Sequence, residues 1–305
     1  MKNPLERPAL SPAMKMADLM DIDFSIQWVF NRFGLQYGFG EATVEEVCNA
    51  ASLDPETFLI ICRIYALDFY RPAREVMDNA ALDDIVRYLR LSHHYYMNDL
   101  VPELAAALET MIAPCEEPRK KVIWQFFTEY KEELTRHFAY EEETVFPYVE
   151  AMLDHRRSRP YSMAEYEKNH SNVEEKLADL KSLVLMYLPG QCRQQDAYRV
   201  LFYLYSLERD LRKHTTIEDD VLVPVVSRLE ESPETRGEGG ELSAREKEIL
   251  VAVAQGLLNK EIADKYNISI YTVITHRKNI TRKTGIKTVA GLTVYALLNN
   301  LIDIE

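Results

Sequence analysis

His137-FAYEEETVFPYV and His214-TTIEDDVLVPVV match in register over thirteen residues. In each, a histidine is followed four residues later by a glutamate (Glu141, Glu218), then by two more acids, then by a proline at the same offset (Pro147, Pro224). Spacing i, i+4 sets both side chains on one face of a helix. A third pair of that spacing, His170/Glu174, falls between the two copies. An imidazole and a carboxylate presented together, twice over, make half of a two-metal site.

Around these pairs the apolar residues recur at three and four, as in Leu177, Leu180, Val184 and Tyr187, the period of an amphipathic helix. Four long helical patterns run near 81–112, 118–152, 162–188 and 194–229, and Pro118, Pro160 and Pro189-Gly190 punctuate the links. Four such rods with short connections predict an up-down-up-down bundle. Each rod supplies one histidine: His94, His137, His170 and His214. His93 lies about 100° round the helix from His94 and is read, with His155 in its basic turn, as a non-ligand. Four imidazoles with Glu141 and Glu218 between them exceed the needs of one tetrahedral zinc. They suit two iron ions, or less readily manganese, with positions left for a diatomic ligand. Glu174 stands open between ligand and solvated helix surface.

Residues 1–78 read as a small helical unit. Thr43-Val-Glu-Glu46 has the form of a capping box, and Asp54-Pro55 pairs an N-cap with a proline at the first helical position. The bundle occupies 79–230. The stretch 231–241, rich in Gly, Glu, Ser and Pro, reads as a linker, and 242–305 as a last unit of four short helices. The whole is expected to be all-α.

Charge separates that last unit from the rest. The chain carries a net −13, yet no acid occurs between Asp264 and Asp303, a gap holding Lys265, Arg277, Lys278, Arg282, Lys283 and Lys287. A basic end on an acidic protein points to a polyanion partner. Lys260-Glu-Ile-Ala263 leads through Asn267-Ile-Ser269 into a helix beginning near Tyr271, the order of a helix-turn-helix whose second helix enters the major groove of double-stranded DNA. The candidate DNA contacts are Lys260, Thr272, Thr275, His276, Arg277, Lys278, Arg282 and Lys283. Four scattered cysteines (Cys48, Cys62, Cys115, Cys192) with no CxxC pair argue against a disulfide framework and for a reducing compartment. The first residues lack the form of a signal peptide, and no apolar run approaches a membrane span. A cytoplasmic protein without a membrane partner is expected.

The stretches Ser92-HHYYMNDLVPEL, Arg136-HFAYEEETVFP, Asn169-HSNVEE and Lys213-HTTIEDDVLVP resemble the hemerythrin-like HHE cation-binding domain. That resemblance implies a non-haem di-iron centre and selects His94, seven residues before Val101, as the first-helix histidine. Oxygen-carrying members place a histidine where Glu174 stands, so the resemblance points toward the iron-sulfur-cluster-repair branch. Met16-ADLMDIDFSIQWVFNRFG and Thr43-VEEVC are similar to the small domain that precedes HHE there. Its adjacent cysteines are replaced here by Gln36-Tyr37-Gly38-Phe39-Gly40.

Leu242-SAREKEIL, Gly256, Asn259-KEIA, Ile268-S, Thr272-V, His276, Asn279-I, Lys283, Gly285-IKT and Gly291-L resemble the LuxR-type (NarL-like) DNA-binding domain. It implies DNA contact by Lys278 and Thr275, whereas Ile274 replaces a contacting lysine. It also implies a homodimer through the last helix, with Leu292, Ala296 and Leu297. Together these predict a regulator, not an enzyme, that senses oxygen (O2), nitric oxide (NO), peroxide or iron state. Cluster repair or iron donation, and iron or oxygen storage, are the alternatives.

Overall fold

The structure, a computed structural model, describes residues 10–68, 70–77, 79–154, 161–169, 173–187, 192–231, 242–299 and 301–302. Regular structure among them is helical, apart from one isolated bridge between Lys15 and Thr43. No helix there is long and apolar enough to cross a membrane.

The first unit holds α1 (Ile26–Arg32), α2 (Val44–Ala50), α3 (Pro55–Ala66) and α4 (Arg74–Met77). The Thr43 hydroxyl accepts from the Glu46 amide while the Glu46 carboxylate accepts from the Thr43 amide, closing the capping box. Asp54 caps α3 through the Thr57 amide, with Pro55 behind it.

The bundle follows. Rod one is α5 (Leu82–Tyr95) and α6 (Val101–Ile112). Rod two is α7 (Glu117–Tyr140) and α8 (Phe146–Leu153). Rod three is α9 (Met163–Asn169) and α10 (Val173–Tyr187), and rod four is α11 (Gln194–Ile217) and α12 (Val223–Glu231). In rods one, two and four the halves join through a π turn: Tyr96–Leu100, Glu141–Val145 and Glu218–Leu222. A proline follows each at the same offset: Pro102, Pro147 and Pro224. Proline has no amide to donate and its ring crowds the carbonyl four residues back, and a wider turn accommodates both. α6 packs on α7 and α11, and α10 packs on the same two, the cycle of an up-down-up-down bundle.

The described residues of this first unit share a core with one end of the bundle. Phe30, Phe58 and Ile61 lie in one buried cluster with Tyr88, Phe146 and Val226. The Arg32 guanidinium, buried against Asp210 of α11, fastens the two, and the Tyr65 hydroxyl donates to the other Asp210 oxygen at 2.5 Å. The remainder of the bundle has its own core around Leu104, Leu134, Leu177 and Leu204.

The last unit holds α13 (Ala244–Ala254), α14 (Asn259–Tyr266), α15 (Ile270–Thr284) and α16 (Val289–Leu298) around Ile249, Ile262, Val273 and Leu292. Ser243 and Glu246 close a second capping box. Gly285 ends α15 with φ +71°, a conformation that costs glycine little.

Candidate metal centre and nucleic-acid interface

The i, i+4 pairs expected from the sequence come together inside the bundle. His137 sits one turn before the end of α7 and Glu141 opens the π turn after it; His214 and Glu218 repeat this on rod four. His137 Nε2 lies 3.3 Å from Glu141 Oε1, and His214 Nδ1 lies 3.4 Å from Glu218 Oε2. All four side chains are buried, and both glutamates are 0% exposed.

Rod one contributes His93, not the expected His94. His93 is 5% exposed; its Nε2 lies 3.1 Å from Glu141 Oε2 and its Nδ1 2.9 Å from Glu142 Oε1. His94 is exposed. The reason is helical phase. Leu82, Ile85, Val86, Leu89 and Ser92 form the buried stripe of α5, which His93 continues. Asp83, Arg87 and His94 share the outer face. Counting back from Val101 gave the sequence offset but not the face. The remaining expected ligands, His170 and the side chain of Glu174, lie outside the described residues.

Donor atoms of His93, His214 and Glu218 lie within 4.8 Å of one another, as do those of His137, Glu141 and Glu218. Two triads therefore share Glu218. Imidazole and carboxylate without thiolate is a donor set suited to iron or manganese, and two fully buried carboxylates demand positive charge nearby. The residues fit a metal cation. Four groups that the sequence reading missed shape the site. Tyr166 on α9 donates its hydroxyl to Glu141 Oε1 at 3.2 Å; burial and the Glu218 and Glu141 charges push that phenol well up, so it stays a donor. Burial would lower the His93 imidazole, but its hydrogen bonds to Glu141 and Glu142 prevail and push it up to about 9. Burial likewise pulls Glu142 up, yet His93 and Arg90 hold it below the usual carboxylate range. Phe138 stacks on His93 with centroids 4.1 Å apart and fixes the ring plane.

In the last unit Ser269 caps α15, accepting from the Thr272 amide at 3.0 Å. Lys260 and Lys278 are exposed, and Thr272 and Thr275 half-buried. Arg277 donates to Asn259 Oδ1 at 2.7 Å, bracing α15 on α14. A surface depression lined by Asn259, Ile274, Arg277, Lys278, Thr281 and Lys287 gathers three cations, a fit for phosphates. The Arg282 side chain lies outside the described residues. Lys283, expected on DNA, instead pairs with buried Glu246 at 2.6 Å. His276, also expected there, is partly buried among Glu246, Arg245 and Lys283, and burial lowers its imidazole. Of the expected dimer residues, Leu292 and Ala296 are buried in this unit's own core, 3% and 0% exposed, and Leu297 is half-buried. The outer face of α16 shows Val294 and Leu298, 54% and 78% exposed.

Comparison with known proteins agrees with this geometry. Residues 84–226 match the family model of the hemerythrin HHE cation binding domain, and residues 240–296 that of bacterial regulatory proteins of the luxR family. The chain joins a hemerythrin HHE domain to a luxR-family regulatory domain. The transcriptional regulatory protein MctR of Rhizobium johnstonii is 46% identical over 62 residues, 20% of this chain and 29% of that protein. LiaR of Bacillus subtilis is 39% identical over 87 residues, 28% and 41% respectively. The oxygen regulatory protein NreC of Staphylococcus aureus is 45% identical over 62 residues, 20% and 29%. The chain thus spans less than half the length of these relatives, and all three are named as regulators. A luxR-type unit implies DNA binding, and an HHE unit implies cation binding.

Proposed function

We propose that this protein is a DNA-binding transcriptional regulator whose non-haem di-iron centre senses oxygen, nitric oxide, peroxide or the redox or iron state of the cell. The two ions would be held by His93, His137, His214, Glu141 and Glu218, with His170 and Glu174 as further candidates. Bound iron would supply redox chemistry and a position for a diatomic ligand. What the chain's residues do is connect that centre to the DNA reader.

One helix carries both ends of the connection. The Tyr271 hydroxyl, in the first turn of the groove-reading helix α15, donates to Asp83 Oδ2 at 3.0 Å. The Ser269 hydroxyl, its cap, donates to Asp54 Oδ1 at 3.0 Å. Asp83 opens α5 and His93 lies ten residues further along it, about 15 Å at 1.5 Å per residue. A helix is stiff over that length, so a shift of the His93 ring moves the acid that holds α15. Asp54 and Asp83 present negative charge to the helix start that would otherwise face phosphates. Release of this contact is the event that would free the reader.

The DNA-bound form is proposed as a homodimer through Val294 and Leu298 of α16. An enzymatic reading as a cluster-repair protein finds little support: Gln36–Gly40 carry no thiol, and burial pushes the Cys48 and Cys62 thiols far up, leaving them inert. The test is metal analysis of anaerobically purified protein, followed by DNA affinity at fixed salt for the reduced, oxidised, nitric-oxide-treated and metal-stripped forms. Affinities that differ between states support the sensor; equal affinities in all four refute it.

A further inference from the structure

Two of the four scattered cysteines meet. Cys115 follows the C-terminal end of α6, and Cys192 stands two residues before α11; their sulfurs lie 3.3 Å apart. Both are buried, 5% and 8% exposed, and α6 and α11 pack side by side. A disulfide requires about 2.05 Å, so closing the bond takes an approach of about 1.3 Å. A surface cleft lined by Glu109, Thr110, Ala113, Pro114, Arg193 and Asp196 includes the chain neighbours of both, Pro114 and Arg193. It offers a small polar oxidant a short path. Cys48 and Cys62 are each 0% exposed in the core of the first unit.

We propose that Cys115 and Cys192 form a reversible redox site, a dithiol that hydrogen peroxide converts to an intrachain disulfide. Cys192, the more exposed, gives up its proton, and its sulfur attacks one peroxide oxygen. The O–O bond breaks, leaving a sulfenic acid, and the departing hydroxide takes a proton to become water. Cys115 Sγ then attacks the Cys192 sulfur, the S–O bond breaks, and the hydroxyl leaves with the Cys115 proton as a second water. Two thiols and one peroxide give one disulfide and two waters; the sulfurs lose two electrons and the peroxide gains them. A dithiol reductant reverses the bond by exchange.

The environment sets the rate. Burial, the hydrogen bond to Cys115 and the Cys115 charge push the Cys192 thiol up to about 11. Thiolate is scarce at neutral pH, so oxidation is slow there and accelerates about tenfold per pH unit below that value. Such a site records sustained peroxide, not a brief pulse. The bond would tie rod one to rod four at the start of α11, about 30 Å along that helix from His214. It closes a loop of some 77 residues in the unfolded chain.

The test uses the full chain, reduced without oxygen, in its metal-stripped and as-purified forms. Each is exposed to hydrogen peroxide at pH 7 and pH 8.5, then denatured, alkylated and mapped by mass spectrometry. The expected product has lost two hydrogens, carries a peptide linking Cys115 to Cys192, and keeps Cys48 and Cys62 alkylated. It forms at least tenfold faster at the higher pH and melts about 5 °C higher until dithiothreitol is added. Cys115→Ser and Cys192→Ser each abolish the link. Mapping of the unaltered chain needs no variant to fold. The proposal is overturned if Cys115 and Cys192 stay alkylatable after the pH 8.5 exposure, or if the link formed involves Cys48, Cys62 or a second chain.

Discussion

Asp83→Ala should tighten DNA binding, and the structure sets how far. The bond from Tyr271 to Asp83 is exposed, so solvent discounts a carboxylate hydrogen bond to about 0.5–1 kcal/mol. The Ser269–Asp54 bond is half-buried and contributes about 1 kcal/mol. Together they favour the docked reader by about 10- to 30-fold, and apparent DNA affinity is reduced by that fraction. Removing Asp83 alone returns about 2- to 5-fold. Loss of a negative charge also strengthens any DNA affinity without specificity, so the assay is a double-mutant cycle. Wild type, Asp83→Ala, Tyr271→Phe and the double variant are titrated by fluorescence anisotropy, at one salt concentration, with a duplex selected from a random pool. Asp83→Ala should gain affinity in the wild-type background and gain less by the factor of 2–5 in the Tyr271→Phe background. An equal gain in both would show that only bulk charge had changed and would refute the docked-reader argument.

Three further outcomes test particular residues. His93→Ala should lower bound metal by at least one ion per chain while His94→Ala leaves it unchanged, read by elemental analysis of anaerobically purified protein. Lys278→Ala should reduce the salt slope of DNA binding by about one counterion, whereas Lys283→Ala should lower the melting temperature, because it removes the cation paired with Glu246, which is 4% exposed. Burial, opposed by the Asp54 amide that donates to it at 2.7 Å, pushes Asp84 from 3.8 up to about 7. The folded chain thus binds that proton more tightly, and its stability contribution is full below about pH 4 and lost as pH rises through 7. Asp84→Asn should therefore be more stable than wild type by roughly 2–4 kcal/mol at pH 8, the gap closing near pH 4 in urea titrations.

Helices, caps and the inner pairs were legible because each rests on local spacing. Thr43/Glu46, Asp54-Pro55, Ser243/Glu246 and Ser269 signal their helix starts within four residues, and His137/Glu141 and His214/Glu218 reveal themselves by repetition. What was not legible depends on packing across the chain. His93 against His94 turns on which face of α5 is buried, and the stripe from Leu82 to Ser92 was a signal that could have decided it. Lys283 and His276 look like DNA contacts in a run of cations until Glu246, some thirty residues earlier, is seen beneath them. Leu292 and Ala296 have helical spacing that suits a dimer face and a domain core equally well. Tyr166, Asp210 and the Cys115–Cys192 pair have no neighbouring motif at all; only the fold brings them to their partners.

The prolines that closed each sequence echo explain how one rod can bury both a metal-binding pair and an apolar tail. Buried positions run Tyr130, Leu134, His137, Glu141, Val145, Val149 on rod two and Leu207, Leu211, His214, Glu218, Leu222, Val226 on rod four. The steps are identical: four, three, four, four, four. Rod one follows them through Leu89, His93, Tyr96, Leu100, Leu104 and Leu108. In a regular α-helix each four-residue step overshoots a full turn by about 40°. Three in succession would swing the stripe about 120° and carry Val149 or Val226 toward solvent. A π turn admits the extra residue, so the stripe stays on one face. Glu141 and Glu218 each open such a turn. Each carboxylate thus follows its histidine by one ordinary helical turn, and the widening that begins at it keeps the apolar residues after it in the core. A rod with proline placed to favour that widening holds a metal-binding pair and an apolar tail on one face through backbone register.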